Sequence, residues 1–537
     1  MTTLYNPINL AYHGIAFALG VILHLSVFRR GEWNIHALSI LQYFAIFEGI
    51  FTCALRLFLG SEKCTTWTVI PIALTATLST LVGLFTSMLI YRGFFHPLKG
   101  YPGPFFSRFS SLYITFQAFK NRRLFEELQL FHKTYGDIVR IGPNELSILG
   151  PHALQALHST SSSCTKGPWY SIEHPVTSLQ MTRDKEEHTR RRRVWDMAFS
   201  SKCLRRYEDR VAEYTTQLLQ HIEALQDEPL DISMWFNFYS FDVMGDLAFG
   251  KSFDMLSNGT KHPFMELTHS HMLVAGSLSR LAWIFPLLKR ISIFNQKTCE
   301  LEERIKQLVD WRIKNEPDVP DIFSWILRDY FGLSKLTGQE TLNLYGDAQL
   351  IAALHNVQEE IDRYHLEYST LDHQNLSKLS YLQACINESM RLYPLLPSSL
   401  QRITPPEGLQ VGSIRLPGDT IVSIPSYAFN RDERLFKNAD QFIPECWTTM
   451  TELTRDSSLF TPFSIGKYSC VGRQLGLMEI RFVASQILRV FDVKLANCNT
   501  AKEFASGLRD SFTLACPSLH LVFTRRDIWT PSPISEK

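Results

Sequence analysis

Three features are scarce in this sequence of 537 residues: paired cysteines, an excess of charge of either sign, and repeated segments. The ten cysteines include no C-x-x-C pair and no regular ladder of spacings, which argues against a zinc ribbon or a disulfide scaffold and favours a reducing compartment. The formal net charge is +1, so no nucleic-acid partner is expected. The absence of repeats predicts one large domain with accessory segments.

The N-terminal region is rich in long apolar runs, which cover residues 10–28, 36–60 and 65–91. The first and third contain no Asp, Glu, Lys or Arg. About 20 apolar residues span a bilayer, so residues 1–92 are predicted to be a membrane anchor with two or three transmembrane helices. A secretory signal peptide is the alternative, but no basic residue precedes Arg29 to form its charged N-terminal part.

The basic residues that flank these runs predict the orientation of the anchor. With three spans, Arg29, Arg30, Arg92 and Lys99 all fall on the same side of the membrane. Positive flanks stay on the cytoplasmic side. The N-terminus is therefore expected to be lumenal, and everything after Arg92 cytosolic.

A short proline-rich segment follows the anchor. Pro97, Pro102 and Pro104 fall within a few residues of two glycines, a composition that excludes a regular α-helix and is typical of a semi-rigid spacer. Residues 93–108 are therefore predicted to be a hinge. The remaining chain, 109–537, is predicted to be one domain.

The clearest chemical signal is a loop near the C-terminus, residues 462–473, which we call the cysteine loop. Gly466 and Gly472 bracket Cys470 and allow the backbone to approach a flat ligand closely. Apolar residues at helical spacing follow directly, so the sulfur should lie just before a helix N-terminus, where a thiolate is stabilised. A buried structural cysteine before an apolar helix is the alternative.

The pattern F-x-x-G-x-x-x-C-x-G in this loop resembles the haem-binding loop of the cytochrome P450 family, and the resemblance extends over residues 95–526. The matching residues are Phe463, Gly466, Cys470 and Gly472. That family usually has an arginine two residues before the cysteine, where it helps to hold a haem propionate. Tyr468 occupies this position here, and its hydroxyl can still donate a hydrogen bond.

The resemblance implies a mainly α fold with small β-sheets behind N-terminal transmembrane helices. It also implies haem b as the cofactor, with Cys470 as the axial thiolate and metal ligand and with Phe463, Gly466, Tyr468 and Gly472 around the haem. A thiolate ligand pushes electron density onto haem iron and favours O–O cleavage.

A carboxylate and a guanidinium three residues apart form a second motif. Glu388 and Arg391 share one face of a predicted helix, 379–393, and the alternative is an ordinary surface ion pair. In order with the cysteine loop, they resemble the family's E-x-x-R pair, which is structural. The family completes this pair with a downstream arginine, but Cys446 stands there, so some loss of stability is expected.

Four consecutive arginines mark a third segment. A solvated basic face is the simple interpretation, and we expect it for Arg191 and Arg193. His188 and Arg192 lie four residues apart, hence on one helix face, and match the family's helix that contacts the haem propionates. Arg402 resembles a further propionate contact. Guanidinium groups suit this role because they bind anionic oxygens in a bidentate manner.

One expected part is missing. The family activates dioxygen with a long distal helix whose pattern resembles [AG]-G-x-[DE]-T-[TS], in which the acid and the threonine relay protons. Residues 345–356 resemble the start of that helix joined directly to the segment that follows it, before a predicted helix at 357–361. About 25 residues are absent, nearly 40 Å of helix at ~1.5 Å per residue. The central distal helix is thus expected to be truncated, and a Gly-x-Glu-Thr sequence within 337–341 is the alternative relay.

These observations leave several functional hypotheses. The first is a haem-thiolate monooxygenase that oxidises an apolar small molecule with dioxygen, using NADPH electrons delivered by a membrane-bound reductase. The anchor and residues 404–408 resemble fungal members of secondary metabolism, which implies an endoplasmic reticulum membrane location with a cytosolic catalytic domain. The others are a truncated or inactive haem-binding variant, and an isomerase or dehydratase that needs no protonation of dioxygen.

Overall fold

α-Helices form most of the described chain, and small β-sheets lie between them. The computed structural model describes residues 7–59, 66–317, 319–332, 337–353 and 376–526. The predicted class, a mainly helical protein with small sheets behind N-terminal apolar helices, is confirmed. The residues predicted to form a helix at 357–361 lie outside the described part of the chain.

Three long apolar helices form the N-terminal region. They are α1 (Pro7–Leu23), α2 (Ala37–Leu59) and α3 (Thr66–Ile90), and short π-helical turns extend α1 to Phe28 and α3 to Phe95. All three are long and apolar enough to cross a membrane. The sequence predicts two or three transmembrane helices, and the structure has three helices of suitable length and composition.

Small residues bring α1 and α3 into close contact. A Cβ atom on Gly20 would lie 1.9 Å from the carbonyl oxygen of Thr80. A Cβ atom on Gly83 would lie 2.1 Å from the carbonyl oxygen of Phe17. Glycine at both positions allows the two backbones to touch, which is how helices associate in lipid without a hydrophobic driving force.

The segment predicted as a hinge packs against the domain. It contains two short 3-10 helices, Pro97–Gly100 and Phe105–Arg108. Leu98 is fully buried in an apolar cluster, and the Pro102 carbonyl oxygen accepts the Arg140 N–H at 2.7 Å. Proline excludes a long helix here, as expected, and these contacts pack residues 93–108 against the domain. The role of this segment as a hinge stays a prediction.

The domain is built mainly from helices around one large apolar core. Helix α9 (Ile232–Phe249) is buried on nearly all sides, because aromatic and aliphatic residues such as Phe238, Phe241 and Val243 occupy every face. The helices are α4 (Leu112–Asn121), α5 (Leu124–Tyr135), α6 (Pro151–His158), α7 (Lys185–Ala198), α8 (Ser201–Ala224), α9 (Ile232–Phe249), α10 (Met255–Asn258), α11 (Pro263–Ser277), α12 (Phe285–Leu288), α13 (Ser292–Lys314), α14 (Ile322–Phe331), α15 (Gly338–Ala353), α16 (Ser380–Leu392), α17 (Ser426–Phe429), α18 (Arg473–Val490) and α19 (Thr500–Gly507).

The largest sheet has the strand order β1-β2-β8-β5-β3 and is antiparallel except where β2 pairs with β8. A second sheet has the order β4-β12-β9, and two hairpins, β6-β7 and β10-β11, complete the set. The strands are β1 (Ile138–Gly142), β2 (Glu145–Ile148), β3 (Thr165–Lys166), β4 (Leu230–Asp231), β5 (Arg402–Ile403), β6 (Leu409–Val411), β7 (Ile414–Leu416), β8 (Ile421–Ser423), β9 (Phe491–Leu495), β10 (Arg509–Ser511), β11 (Thr513–Ala515) and β12 (His520–Arg525).

The pairing register of strands β3 and β5 determines which side chains lie together near the cysteine loop. Strands β3 and β5 pair so that Lys166 lies opposite Arg402. Both side chains are almost fully buried. The sheet therefore brings two cationic groups, distant in sequence, to the same place.

Candidate active site

The cysteine loop is closed by backbone contacts. Gly466 begins a 3-10 turn that ends at Tyr468 and has φ = +71°, where L side chains are strained. A Cβ atom there would also lie 2.3 Å from the carbonyl oxygen of His158, at the end of α6. The Cys470 N–H donates to the Phe463 carbonyl oxygen at 2.9 Å. The loop thus needs glycine at position 466 to reach this conformation.

The Cys470 sulfur lies just before α18, as the sequence predicted. Gly472 is the residue that precedes the helix, and it leaves the first N–H groups of α18 open. Burial raises the pKa of the Cys470 thiol, and the Gly472 N–H and the Arg192 guanidinium oppose that rise. The Arg473 N–H also opposes it. Hydrogen-bond donors and a cation therefore surround the sulfur and offset part of the effect of burial, which is the larger one.

Cys470 lines a cavity of about 280 Å³. The walls come from the loop before α7, from α11, α13 and α15, and from the segments around 394–400 and 512–513. Their lining is mainly apolar, and includes Leu154, Trp169, Leu179, Met181, Met272, Ala275, Leu301, Ile305, Leu350, Leu395, Leu396, Leu400, Phe463, Val471 and Phe512. A cavity of this kind suits a ligand that is largely apolar.

The structure brings the predicted polar residues to this cavity. His188, Arg192, Arg402 and Tyr468 all line it together with Cys470. The His188 and Tyr468 rings meet edge-on with centroids 4.8 Å apart, and the Arg402 guanidinium carbon lies 5.1 Å from the Tyr468 centroid. Arg192 Nη1 donates to the Ser469 carbonyl oxygen at 2.6 Å and so ties α7 to the cysteine loop.

The placement of His188 and Arg192 follows from the start of α7. The Asp184 carboxylate accepts the Glu187 N–H at 2.8 Å and caps the helix. From that start, the helical period directs positions 188 and 192 to one face, whereas Arg193 is exposed on another. The expectation of a solvated side chain therefore holds for Arg193.

Sequence reasoning missed Lys166 and His158, which also line the cavity. Lys166 Nζ lies 4.9 Å from the Tyr468 ring centroid and donates to three backbone carbonyl oxygens. Burial, followed by the positive charge of Arg402, lowers the pKa of Lys166 to about 6. Burial lowers the pKa of His158 to about 3. Neither residue stands in a recognisable motif, because only the β3–β5 pairing and the end of α6 bring them here.

The residues present fit a haem with two anionic propionates. Three buried polar atoms at the cavity have no hydrogen-bond partner among the described residues: Tyr468 Oη, Arg402 Nε and His158 Nδ1. Burial, and after it the positive charge of neighbouring basic groups, lowers the pKa of Lys166 and of His188, and an anionic group would oppose the second effect. Cys470 supplies the sulfur ligand, and the apolar walls suit the faces of the macrocycle.

Glu388 and Arg391 form a fully buried pair rather than a surface one. Arg391 Nε and Nη2 donate to the two carboxylate oxygens of Glu388, each at 2.8 Å. Arg391 also donates to the backbone carbonyl oxygens of Asn430, Ala439 and Gln441. The pair thus joins α16 to the chain that leads toward the cysteine loop.

Cys446 stands where the family has an arginine, and other groups contact Glu388 in its place. Glu388 accepts the Ile443 N–H at 2.9 Å and the Trp447 Nε1–H at 3.0 Å, and the Cys446 sulfur lies 3.7 Å away. Burial, and then the Glu388 charge, raise the pKa of Cys446 to about 11, so it stays a thiol. Neutral donors therefore satisfy the carboxylate of Glu388 without a second cation, and the expected loss of stability stays a prediction.

The expectation of a solvated Arg191 is wrong. Its side chain is 1% exposed, and Nη2 lies 2.5 Å from the Asp347 carboxylate on α15. Asp347 also accepts the Leu179 N–H at 2.7 Å and the Tyr330 hydroxyl at 3.2 Å. No local pattern of residues indicates this network, because all its members come from separate elements.

Helix α15 supplies the described part of the distal wall. Gln349 and Leu350 are its residues that line the cavity. The alternative relay at 337–341 lies around the N-terminal turn of α15 and is not part of the cavity lining. In the described residues, α15 therefore presents no acid–threonine pair to the cavity.

Fold and site together define a mainly helical protein with N-terminal apolar helices and a cavity that suits a cofactor held by a cysteine. The sequence model of the Cytochrome P450 family matches residues 102–321 and 352–517. The chain therefore belongs to the cytochrome P450 family and is an oxidoreductase of the monooxygenase type. The family carries a haem iron held by a cysteine thiolate.

Individual relatives support the same assignment. The chain is 61% identical to Cytochrome P450 monooxygenase FCK2 of Fusarium pseudograminearum, over 98% of this chain and 100% of the relative. It is 39% identical to Cytochrome P450 monooxygenase orf5 of Eupenicillium brefeldianum, over 83% and 95%. It is 33% identical to Tryprostatin B 6-hydroxylase of Aspergillus fumigatus, over 96% of both chains. These similar proteins are all fungal.

Proposed function

We propose that this chain inserts one oxygen atom of dioxygen into an apolar small molecule, with electrons that a reductase delivers from NADPH. The observation that carries the proposal is the position of Cys470 at a mainly apolar cavity whose polar groups cluster beside the cysteine loop. Arg193 and Arg473, on the two helices that flank this loop, are exposed and offer cations to an acidic reductase surface.

The haem would be held by the Cys470 sulfur, with Arg192, Arg402 and Tyr468 near its propionates. When bound, it supplies the chemistry that activates dioxygen. The chain's own contribution is to reduce the cost of an anionic sulfur and to exclude water. The N–H donors and Arg192 around Cys470 do the first, by offsetting part of the effect of burial, and the apolar walls do the second.

A second function, haem binding without efficient turnover, is supported by two observations. The family model leaves residues 322–351 unmatched, a segment that includes the predicted start of the oxygen-activating helix. The alignment with the Fusarium relative spans 549 positions, more than the 537 residues of this chain, so that relative has residues with no counterpart here. The first observation is a departure from the family pattern at this segment, and the second agrees with a deletion, which the predicted join within residues 345–356 would put in the distal helix.

We also propose an endoplasmic reticulum location with the catalytic domain in the cytosol, and a role in fungal secondary metabolism. The three N-terminal helices support membrane attachment. The name of the Aspergillus relative describes the hydroxylation of Tryprostatin B, which supports a role of the same general kind for this chain.

Two measurements on the purified full chain test these proposals. The reduced, carbon monoxide-bound spectrum should show the red-shifted thiolate band, which Cys470→Ser should abolish and Cys299→Ser, at an exposed cysteine, should leave unchanged. A band that survives in Cys470→Ser would show that another residue is the ligand. Product analysis with reductase and NADPH then separates the two functions, since bound haem without any oxygenated product supports the second.

A further inference from the structure

Three polar side chains meet on the cavity wall outside the group beside the cysteine loop. Glu173 follows the turn Pro168–Ser171, His271 lies on α11 and Gln349 lies on α15, and all three line the cavity. His271 Nε2 lies 3.1 Å from Glu173 Oε1, and Gln349 Nε2 lies 3.3 Å from the same oxygen. We call this group the Glu173 cluster.

The hydrogen bonds within the Glu173 cluster determine which atoms remain for a ligand. Because Glu173 Oε1 can only accept, Gln349 Nε2 donates to it. His271 Nε2 lies within hydrogen-bond distance of both Glu173 Oε1 and Gln349 Nε2, the second at 3.3 Å. In the described chain, Glu173 Oε2 and Gln349 Oε1 make no hydrogen bond. Both of these atoms accept.

Because the Glu173 cluster is largely buried, its free acceptor atoms affect how tightly a ligand binds. The Glu173 and His271 side chains are only 14% and 18% exposed, and apolar neighbours such as Trp169 and Met272 share the same wall. A carboxylate in such a place costs free energy unless it is hydrogen-bonded. An occupant that offers a donor to Glu173 Oε2 is therefore bound more tightly than one that does not.

The positive charge of Lys289 favours one kind of hydrogen-bond donor on the ligand. Lys289 donates from Nζ to the carbonyl oxygen of His174, the residue next to Glu173, and its ammonium interacts with the Glu173 charge. A cation is thus already close to the carboxylate. A neutral N–H or O–H group gains the hydrogen bond without bringing a second positive charge beside Lys289.

We propose that the Glu173 cluster is a substrate subsite that binds a neutral N–H or O–H donor on an otherwise apolar molecule. This proposal rests on the proposed monooxygenase function and adds the class of substrate, which is a molecule with a donor such as an amide N–H. Because the cluster joins a loop and two helices, it fixes how such a molecule is oriented in the cavity, and Glu173 is its specificity-determining residue.

The test compares two nearly isosteric probes, N-methylnaphthalene-2-carboxamide and methyl naphthalene-2-carboxylate, which differ only by N–H in place of O. Calorimetric titration of the haem-loaded full chain in lipid nanodiscs, corrected with empty nanodiscs, gives both dissociation constants. We expect the amide to bind about tenfold more tightly or better, because a hydrogen bond to a charged group discriminates by at least that factor. Glu173→Gln should reduce this ratio to about one to threefold.

The matched control is Glu266→Gln, the same substitution at an exposed position of α11, which should keep the wild-type ratio. Equal affinities of the two probes for the wild-type chain would overturn the proposal without recourse to any variant. A ratio that persists in Glu173→Gln would do the same. Neither result depends on turnover, so failure of the proposed function, seen as bound haem without oxygenated product, is a separate outcome.

Discussion

Gly466 shows how a single residue sets the geometry of the cysteine loop. Its φ of +71° and its approach to His158 leave no room for a side chain. The following turn places Tyr468 and Cys470 on the cavity wall. The positive φ that Gly466 adopts therefore helps to determine where the Cys470 sulfur lies.

Replacing Gly466 by alanine should destabilise the chain by about 2 kcal/mol or more and reduce its haem content, because strain at positive φ adds to a contact with backbone. Thermal unfolding and haem quantification of the purified full chain measure both effects. Gly338→Ala is the control: this glycine begins α15 with open space around it, so the change should stay within about 1 kcal/mol. Wild-type haem content and stability in Gly466→Ala would contradict this account.

At the scale of elements, the Arg191–Asp347 pair holds α7 and α15 together. Its two side chains are each 1% exposed, and Tyr330 on α14 joins the same carboxylate. Helix α7 carries His188 and Arg192 toward the cysteine loop, while α15 carries Gln349 to the opposite wall. The pair therefore sets the spacing between two walls of the cavity.

Asp347→Asn should cost about 3–5 kcal/mol of unfolding free energy, because the buried Arg191 guanidinium would lose its counter-charge. The double variant Arg191→Met/Asp347→Leu should cost less than this single change, since no unpaired charge is left. Chemical denaturation of the full chain gives these values. Arg193→Gln, exposed on α7, serves as a control and should stay within about 0.5 kcal/mol. A single variant as stable as the double one would disprove the role of the pair.

At the scale of the whole molecule, the N-terminal helices contact the catalytic domain near the cavity. Arg183 Nη1 and Nη2 donate to the Glu32 carboxylate, between α1 and α2, at 2.7 and 2.8 Å. Arg183 also bonds Ser171 beside the cavity. The turns Asn34–His36 and Ala282–Ile284 pack together nearby. The contact orients the domain relative to the N-terminal helices.

Removing either partner of this contact should expose the loop between α1 and α2. We expect faster tryptic cleavage after Arg29 or Arg30 in both Glu32→Gln and Arg183→Gln, with no further gain in the double variant, because each change breaks the same ion pair. Overall stability should change by less than about 1 kcal/mol, since both groups are partly exposed. Arg304→Gln, in an exposed pair on α13, should leave the cleavage rate unchanged. Additive single effects would argue against a shared contact.

Much of the site was predictable because local chemistry requires particular residues at fixed spacing. A thiolate loop needs glycines beside Cys470 and a helix after it, and a bilayer needs long apolar runs. A short i, i+3 spacing likewise places Glu388 against Arg391 on one helix face. The sequence alone thus determined the cysteine loop before a helix, the apolar N-terminal helices and the family.

Only the tertiary structure decided which groups share the cavity and which charges are buried. Arg191 was expected in solvent because a run of arginines carries no information about Asp347, which follows far along the chain. Lys166 reaches the cavity through a strand pairing, and Glu173 meets His271 and Gln349 only where a loop and two helices converge. Burial and partnership depend on packing between distant segments, and local patterns do not record them.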